Sequence, residues 1–150
     1  MCIRDRPICV KIMSRSGELA DLDSDAFDDV MAAYRMPKGD ENEIIMRKES
    51  IKKSSIVATE IPFETSKLAL DILKILPELA LKGNGNAVSD VGVAGLLASA
   101  ACKGALFNVD INLSGLSDDV ATDIRKESPD ILKMSRALSR QIMDNVRERL

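Results

Sequence analysis

Asp23 is the residue of this sequence whose position most invites a chemical explanation. On a helical wheel of 3.6 residues per turn, the apolar residues from Leu19 to Tyr34 occupy an arc about 140° wide. Asp23 falls near the middle of that arc, one turn before Phe27. A carboxyl group against an apolar wall has a raised pKa, which suits it to exchange a proton near neutral pH. The alternative is a buried aspartate that caps a helix or pairs with a basic neighbour, and periodicity leaves both open.

Two polar clusters and two basic residues are further candidates. The stretch "GNGNAVSD", residues 83–90, is either a helix C-cap followed by an N-cap or a loop that presents a helix N-terminus to an anionic or amide-bearing ligand. Asn108 and Asn112 are four residues apart and share a helix face, where buried amides need bonding partners. Lys38 and Arg47 flank the first predicted helix break, as ordinary surface residues or as a site for a carboxylate tail.

The composition excludes several classes of function. The chain has no histidine, which removes histidine-based triads, metal sites and acid–base catalysis. Its three cysteines lack the spacing of a zinc site or a disulfide framework, so we expect a reducing, cytoplasmic location. A net charge of −3 and 3% aromatic residues argue against a nucleic-acid partner. The longest uncharged run in the apolar middle, residues 91–102, is too short for a bilayer, so we expect no membrane partner.

The elements that must position these residues are all predicted to be helices. Proline and glycine punctuation divides the chain into five segments. They are Pro7–Tyr34, Glu41–Glu60, Pro62–Gly83 with a kink or split at Pro77, residues 89–109, and Ser117–Leu150 with an interruption at Ser128 and Pro129. The fourth is apolar all round, which is typical of a buried central helix. The sequence therefore predicts an all-α, single-domain helical bundle.

The N-terminal residues have a different character. The segment "MCIRDR", residues 1–6, lacks the apolar region of a signal peptide and reads like the translation of a sequencing adapter. We expect residues 1–6 to be an adapter-derived scar and residues 7–150 to form the domain. The encoding DNA tests this, because codons that differ from the adapter would contradict it.

Three motifs in order resemble the cyclodeaminase and cyclohydrolase domain of the formiminotransferase-cyclodeaminase family. They are "DLDSDAFDDVMAAYRMPK", "ATEIPFETSKLALDIL" and "KGNGNAVSDVGVAGLLASAACKGALFNVDINL", and the resemblance covers about residues 10–146. It implies an all-helical, dimeric enzyme that acts on tetrahydrofolate one-carbon adducts without a metal or nucleotide cofactor. The family's catalytic carboxyl corresponds to Asp23 in this sequence. The family also carries an earlier glycine-rich "P-G-G-G-S" region that is absent here, which predicts an N-terminally truncated domain.

The resemblance implies a methenyltetrahydrofolate cyclohydrolase, which forms 10-formyltetrahydrofolate. The alternative within the family is formiminotetrahydrofolate cyclodeaminase, which closes the same ring with loss of ammonia. The absence of a formiminotransferase domain favours the cyclohydrolase. A non-catalytic helical dimerisation module is the alternative from another class, and replacement of the acid at position 23 would have favoured it.

In a folate substrate, the pteridine edge forms hydrogen bonds with amide or carboxyl groups, and the carboxylates of the glutamate tail bind cationic side chains. We therefore expect Asp23 to be buried in or beside a concave pocket. The residues expected to converge there are Asn84, Ser89, Asp90, Asn108 and Asn112, with Lys38 or Arg47 at the rim. We also expect a homodimer, because the apolar helix and the C-terminal stripe Ile131, Met134, Leu138, Ile142 and Val146 exceed what a small bundle hides.

Overall fold

Four α-helices joined by short connections make up the fold. The computed structural model describes residues 5–117 and 119–150, so most of the expected adapter-derived segment lies outside it. The helices are α1 (Arg6–Arg35), α2 (Glu41–Lys82), α3 (Val88–Ser114) and α4 (Thr122–Arg147), with a 3₁₀ turn at Gly85–Ala87. Every regular element in the described ranges is helical, which confirms the predicted all-α class.

Helix α2 is the central element, because α1, α3 and α4 all pack against it. The main core lies between α2, α3 and α4, where Leu73, Val109 and Ile142 are completely buried. A smaller core joins α1 to α2 through Leu19, Ala26 and Ile61. Within the described residues the backbones of α1 and α3 stay apart, and a groove with α2 as its floor lies between them.

The expected break between the second and third helices is wrong, because α2 runs without interruption through Pro62 and Pro77. Proline lacks the backbone N–H that would bond to the carbonyl four residues earlier, and in a helix interior this costs about 3 kcal/mol. At Pro62 the freed carbonyl belongs to Ala58, and the Asn112 Nδ2 atom donates to it at 2.7 Å. A side chain 54 positions beyond Ala58 thus replaces the missing helical bond.

This contact leads to a first prediction. Asn112→Ala should lower the free energy of unfolding by about 1–3 kcal/mol, because the partly buried Ala58 carbonyl then loses its partner. Urea denaturation measures the change. Asn86→Ala is the control, since its side chain is exposed, and an equal effect from both variants would contradict the role assigned to Asn112.

An ion pair ties α1 to α2 beside their small core. Arg15 binds Glu64 through two bonds, Nε to Oε1 at 2.7 Å and Nη2 to Oε2 at 2.9 Å. The Arg15 hydrogen bond holds the pKa of Glu64 below its usual value. A carboxyl whose pKa is lowered by folding stabilises the fold above its unfolded pKa, and this contribution is lost as the pH falls through the folded value.

We therefore expect Glu64→Gln to lower the urea midpoint at pH 7. The gap between variant and wild type should shrink as the pH falls below the ordinary glutamate pKa, because protonation then weakens the wild-type pair as well. Glu60→Gln is the exposed control on the same helix and should show little change at either pH. A Glu64→Gln deficit that persists undiminished in acid would mean that packing, and not charge, carries the effect.

The predicted break at "GNGNA" is confirmed. The Gly83 N–H bonds to the Leu79 carbonyl and ends α2, and the Asn84 side chain accepts a bond from the Asn86 N–H at 3.0 Å. The predicted interruption at Pro129 is wrong, since α4 is continuous from Thr122.

The two surfaces from which a dimer was predicted behave differently. The C-terminal stripe is packed inside the fold, with only Met134 of its members exposed, so that part of the argument is wrong. Helix α3 is not buried all round: it packs one face on α2 and α4 and leaves an apolar face open. By length and composition the segment Gly85–Ser114 could span a membrane, a test that core helices of soluble proteins also pass, and 44% of its most apolar window is buried.

Candidate active site

Asp23 lines a groove of about 290 Å³ between α1 and α3. On the α1 wall it is accompanied by Ser16, which lies two turns earlier on the same side of the helix. Pro62 and Thr65 of α2 form the floor, and Asn108 lies on the α3 wall. The position of Asp23 beside a concave site therefore agrees with expectation.

The expected burial of Asp23 is wrong, because its side chain is exposed. Helix α1 packs on α2 through a narrow line of buried residues that recur every seven positions. They are Ile12, Leu19, Ala26 and Ala33. The rest of the wide apolar arc is uncovered, and Phe27 is 62% exposed. Asp23 lies on this uncovered side and borders the groove with an exposed side chain.

The groove offers chemistry of two kinds. The Asp23 carboxyl can accept or donate a proton, and the exposed Asn108 amide can both donate and accept hydrogen bonds. Small side chains at Ala101 and Ala105 keep the α3 wall low and leave space between the helices. The groove therefore has an acid–base group on its α1 wall and an amide on its α3 wall.

The second predicted cluster lies elsewhere. Asn84 and Asp90 line a separate pocket of about 220 Å³ where α2 turns into α3, and Ser89 is exposed in the first turn of α3. Along α2, Asn84 is 22 residues from Pro62, which is roughly 30 Å of helix axis. The prediction that these residues share one cleft with Asp23 is therefore wrong within a single chain.

The predicted cationic rim lies at the far end of the α1–α2 hairpin. The Arg47 guanidinium bonds twice to the Tyr34 carbonyl, at 3.0 and 3.3 Å, and lies over the Tyr34 ring. Arg47 thus caps the C-terminus of α1. Lys38 is exposed in the connection between the helices. Tyr34 is 11 residues beyond Asp23, about 16 Å along α1, so both cations lie at a distance from the groove.

The structure also adds residues that sequence reasoning missed. Ser16 and Thr65 line the groove, and the spacing of seven between Ser16 and Asp23 is the signal that identifies the former. Nothing local in the sequence points to Thr65, which reaches the groove through the packing of α2. Asn112 lies at the level of the groove, but its amide nitrogen bonds to the Ala58 carbonyl.

Comparisons with known proteins agree with the resemblance of the motifs. A model of the formiminotransferase-cyclodeaminase family matches residues 6–129. A methenyltetrahydrofolate cyclohydrolase from Methylorubrum extorquens is 35% identical over 136 residues, which make up 90% of this chain and 65% of that protein. The formimidoyltransferase-cyclodeaminase of Sus scrofa is 27% identical over 132 residues, 87% of this chain and 24% of that protein. That of Rattus norvegicus is 32% identical over 102 residues, 68% of this chain and 19% of that protein.

Proposed function

The chain belongs to the formiminotransferase-cyclodeaminase family, and we propose that it is the catalytic domain of a methenyltetrahydrofolate cyclohydrolase. The observation that carries the proposal is Asp23 in the wall of a groove, with the Asn108 amide on the opposite wall. The extent of the similarity to the Methylorubrum extorquens protein supports the cyclohydrolase over other activities of the family.

Asp23 serves both halves of the reaction. Its carboxylate takes a proton from water as the water oxygen adds to the cationic methenyl carbon, which gives a neutral tetrahedral adduct. The protonated Asp23 then passes that proton to N5 as the bond between N5 and the carbon breaks. The hydroxyl of the adduct becomes the formyl carbonyl and releases its proton to water, so the hydrolysis yields one proton overall. While ionised, the carboxylate also stabilises the cationic substrate.

The remaining groups bind the folate. Asn108 pairs with the donor–acceptor edge of the pteridine, and Ser16 and Thr65 supply hydroxyls along the same groove. Lys38, at the end of the α1–α2 hairpin, attracts the carboxylates of the glutamate tail, while Arg47 contributes its charge from its position on the Tyr34 carbonyl. The tail then runs along α1 from the groove toward the hairpin.

Cyclodeaminase activity is the second candidate, since relatives named formimidoyltransferase-cyclodeaminase also match most of this chain. The two reactions act on the same carbon and differ in the leaving group. Two rates measured under identical conditions distinguish them: the release of ammonia from formiminotetrahydrofolate and the loss of methenyltetrahydrofolate. We expect hydrolysis of the methenyl compound to be the faster reaction. Faster release of ammonia would identify the protein as a cyclodeaminase. If the protein catalysed neither reaction, it would be a non-catalytic helical module.

We further propose a homodimer formed by the exposed face of α3. Its five large apolar side chains, each more than half exposed, are Val93, Leu96, Leu97, Phe107 and Ile111. When fully exposed, a side chain of this kind has roughly 150–200 Å² of accessible surface. At their observed exposures, the five side chains together expose on the order of 500 Å² of apolar surface. A stable interface buries about 800 Å² per partner. Met13 and Phe27 of α1 provide the additional area.

Leu97→Glu should convert the dimer to a monomer. Leu97 is 67% exposed in the single chain, and in the dimer the variant would bury two carboxylates against apolar surface, which should weaken association at least about 100-fold. Sedimentation velocity over a range of concentrations measures the change. Leu81→Glu is the matched control, because Leu81 is an exposed leucine near the end of α2 and away from the α3 face. A wild-type monomer at all concentrations would contradict the proposal.

A further inference from the structure

One turn of α2 lies beneath both walls of the groove. This turn, residues 58–62, ends at Pro62, which forms part of the groove floor. The side chains of Ala58 and Ile61 belong to the small core that α2 shares with α1. The carbonyl of Ala58 accepts a hydrogen bond from Asn112 of α3. The same turn therefore contacts the α1 wall through apolar side chains and the α3 wall through a hydrogen bond.

Pro62 makes this hydrogen bond possible. In a regular helix the N–H of residue 62 would bond to the Ala58 carbonyl, but proline has no N–H and its ring clashes with that carbonyl. The carbonyl is therefore free for a partner outside α2, and the Asn112 Nδ2 atom reaches it at 2.7 Å. A proline in a helix interior is destabilising by itself, and departures of this kind from local preference are typical of functional sites.

The hydrogen bond also bears on the amide that lines the groove. Asn108 lies one turn before Asn112 on the same side of α3, about 6 Å along the helix axis. Apolar contacts between α2 and α3 resist separation of the helices, but they have no preferred direction and permit small sliding movements. A hydrogen bond has a defined length and direction. The bond to Ala58 therefore fixes the level at which Asn108 faces Pro62 and Thr65 across the groove floor.

We propose that Pro62 and Asn112 are positioning residues of the candidate active site, which act through the Ala58 carbonyl to hold Asn108 in place on the α3 wall. The inference rests on the proposed function for the identity of the ligand, whereas the hydrogen bond itself does not depend on it. Asp23 is held separately, through the packing of α1 on α2. Loss of the bond should therefore weaken folate binding through Asn108 and leave proton transfer by Asp23 intact.

Pro62→Ala should change stability and ligand binding in different ways. Alanine restores the N–H at this position, so a helical bond to the Ala58 carbonyl replaces the bond from Asn112, and the urea midpoint should not fall. The KM for methenyltetrahydrofolate should rise about 10-fold, the effect of misplacing one hydrogen bond to the ligand, with kcat nearly unchanged. A fall in the urea midpoint together with an unchanged KM would overturn the proposal, because Pro62 would then serve the fold alone.

Pro77→Ala is the matched control. Pro77 is also inside α2, and it lies about 22 Å beyond Pro62 along the helix axis, away from the groove. Its replacement likewise restores a helical N–H, but the KM should stay at the wild-type value. An equal rise in KM for both proline variants would show that the general course of α2, and not the bond at Ala58, determines ligand binding.

A double variant separates positioning from direct contact with the ligand. If Pro62 and Asn112 act through one bond, Pro62→Ala combined with Asn112→Ala should have about the KM of either single variant, because each has already lost the bond. If each side chain contacted the folate independently, two factors of about 10 would multiply to about 100, and the proposal would be wrong.

The urea midpoint tests the bond without any substrate. Asn112→Ala should lower the midpoint in the wild-type chain but not in the Pro62→Ala chain, where the Ala58 carbonyl has its helical partner again. An equal loss in both chains would overturn the proposed link between the two residues. Failure of the wild type to hydrolyse the substrate would instead count against the proposed function, and the difference between the two losses would still measure the bond.

Discussion

Asp23→Asn is expected to lower kcat for methenyltetrahydrofolate by about 10²–10⁴-fold, the range contributed by a positioned acid–base group. The amide has nearly the same shape as the carboxyl but can neither take the proton from water nor return it to N5. Folate affinity should change much less, because Asn108 and the groove walls remain. Steady-state kinetics together with equilibrium binding of tetrahydrofolate would separate the two effects.

Asp21→Asn provides the control for this variant. Asp21 is an exposed aspartate on the same helix and does not line the groove, so its variant should keep wild-type turnover. If Asp23→Asn also turns over normally, the carboxyl has a structural role and the mechanism is wrong. If both variants lose activity equally, turnover depends on the overall negative charge of α1 and not on the position of the Asp23 carboxyl.

Gly95→Val should cost the fold about 3 kcal/mol or more, at the upper end of the range for overpacking. A Cβ atom at Gly95 would lie 2.9 Å from the Cγ2 methyl of Ile142, which is completely buried and branched at Cβ. Helices α3 and α4 would have to separate to admit the added methyl groups. Chemical denaturation measures the loss.

Gly17→Ala is the matched glycine replacement in an open position. Nothing lies within 4 Å of its Cβ position in the middle of α1, so the substitution should stabilise the helix by about 0.5–1 kcal/mol. Stabilisation by Gly95→Val would show that α3 and α4 pack less closely than described. Opposite signs for the two replacements would tie the cost at Gly95 to contact with Ile142.

Features fixed by local chemistry could be predicted from the sequence, whereas those fixed by distant partners could not. The bounds of α1 and the break at Gly83 follow from proline, glycine and asparagine preferences within a few residues. The continuity of α2 at Pro62 depends on Asn112, which local propensity cannot reveal. Pro62, Pro77 and Pro129 therefore predict helix breaks that the fold does not contain.

The site shows the same division. The helical wheel identifies Asp23 as unusual, but it cannot tell which part of a wide apolar arc a neighbouring helix will cover. Helix α2 covers only the line through Leu19 and Ala26, so Asp23 remains open in a single chain. The polar character of residues 83–90 is likewise plain in the sequence, yet their distance from Asp23 is set by the length of α2 and α3.

The most direct test of the account is the disappearance of methenyltetrahydrofolate in the presence of the protein, followed by its near-ultraviolet absorbance. The spontaneous hydrolysis in buffer sets the baseline, and the Asp23→Asn protein at equal concentration is the control. The account predicts acceleration in proportion to wild-type enzyme and almost none with the variant. A wild-type trace that coincides with the buffer baseline, or a variant as active as the wild type, would contradict it.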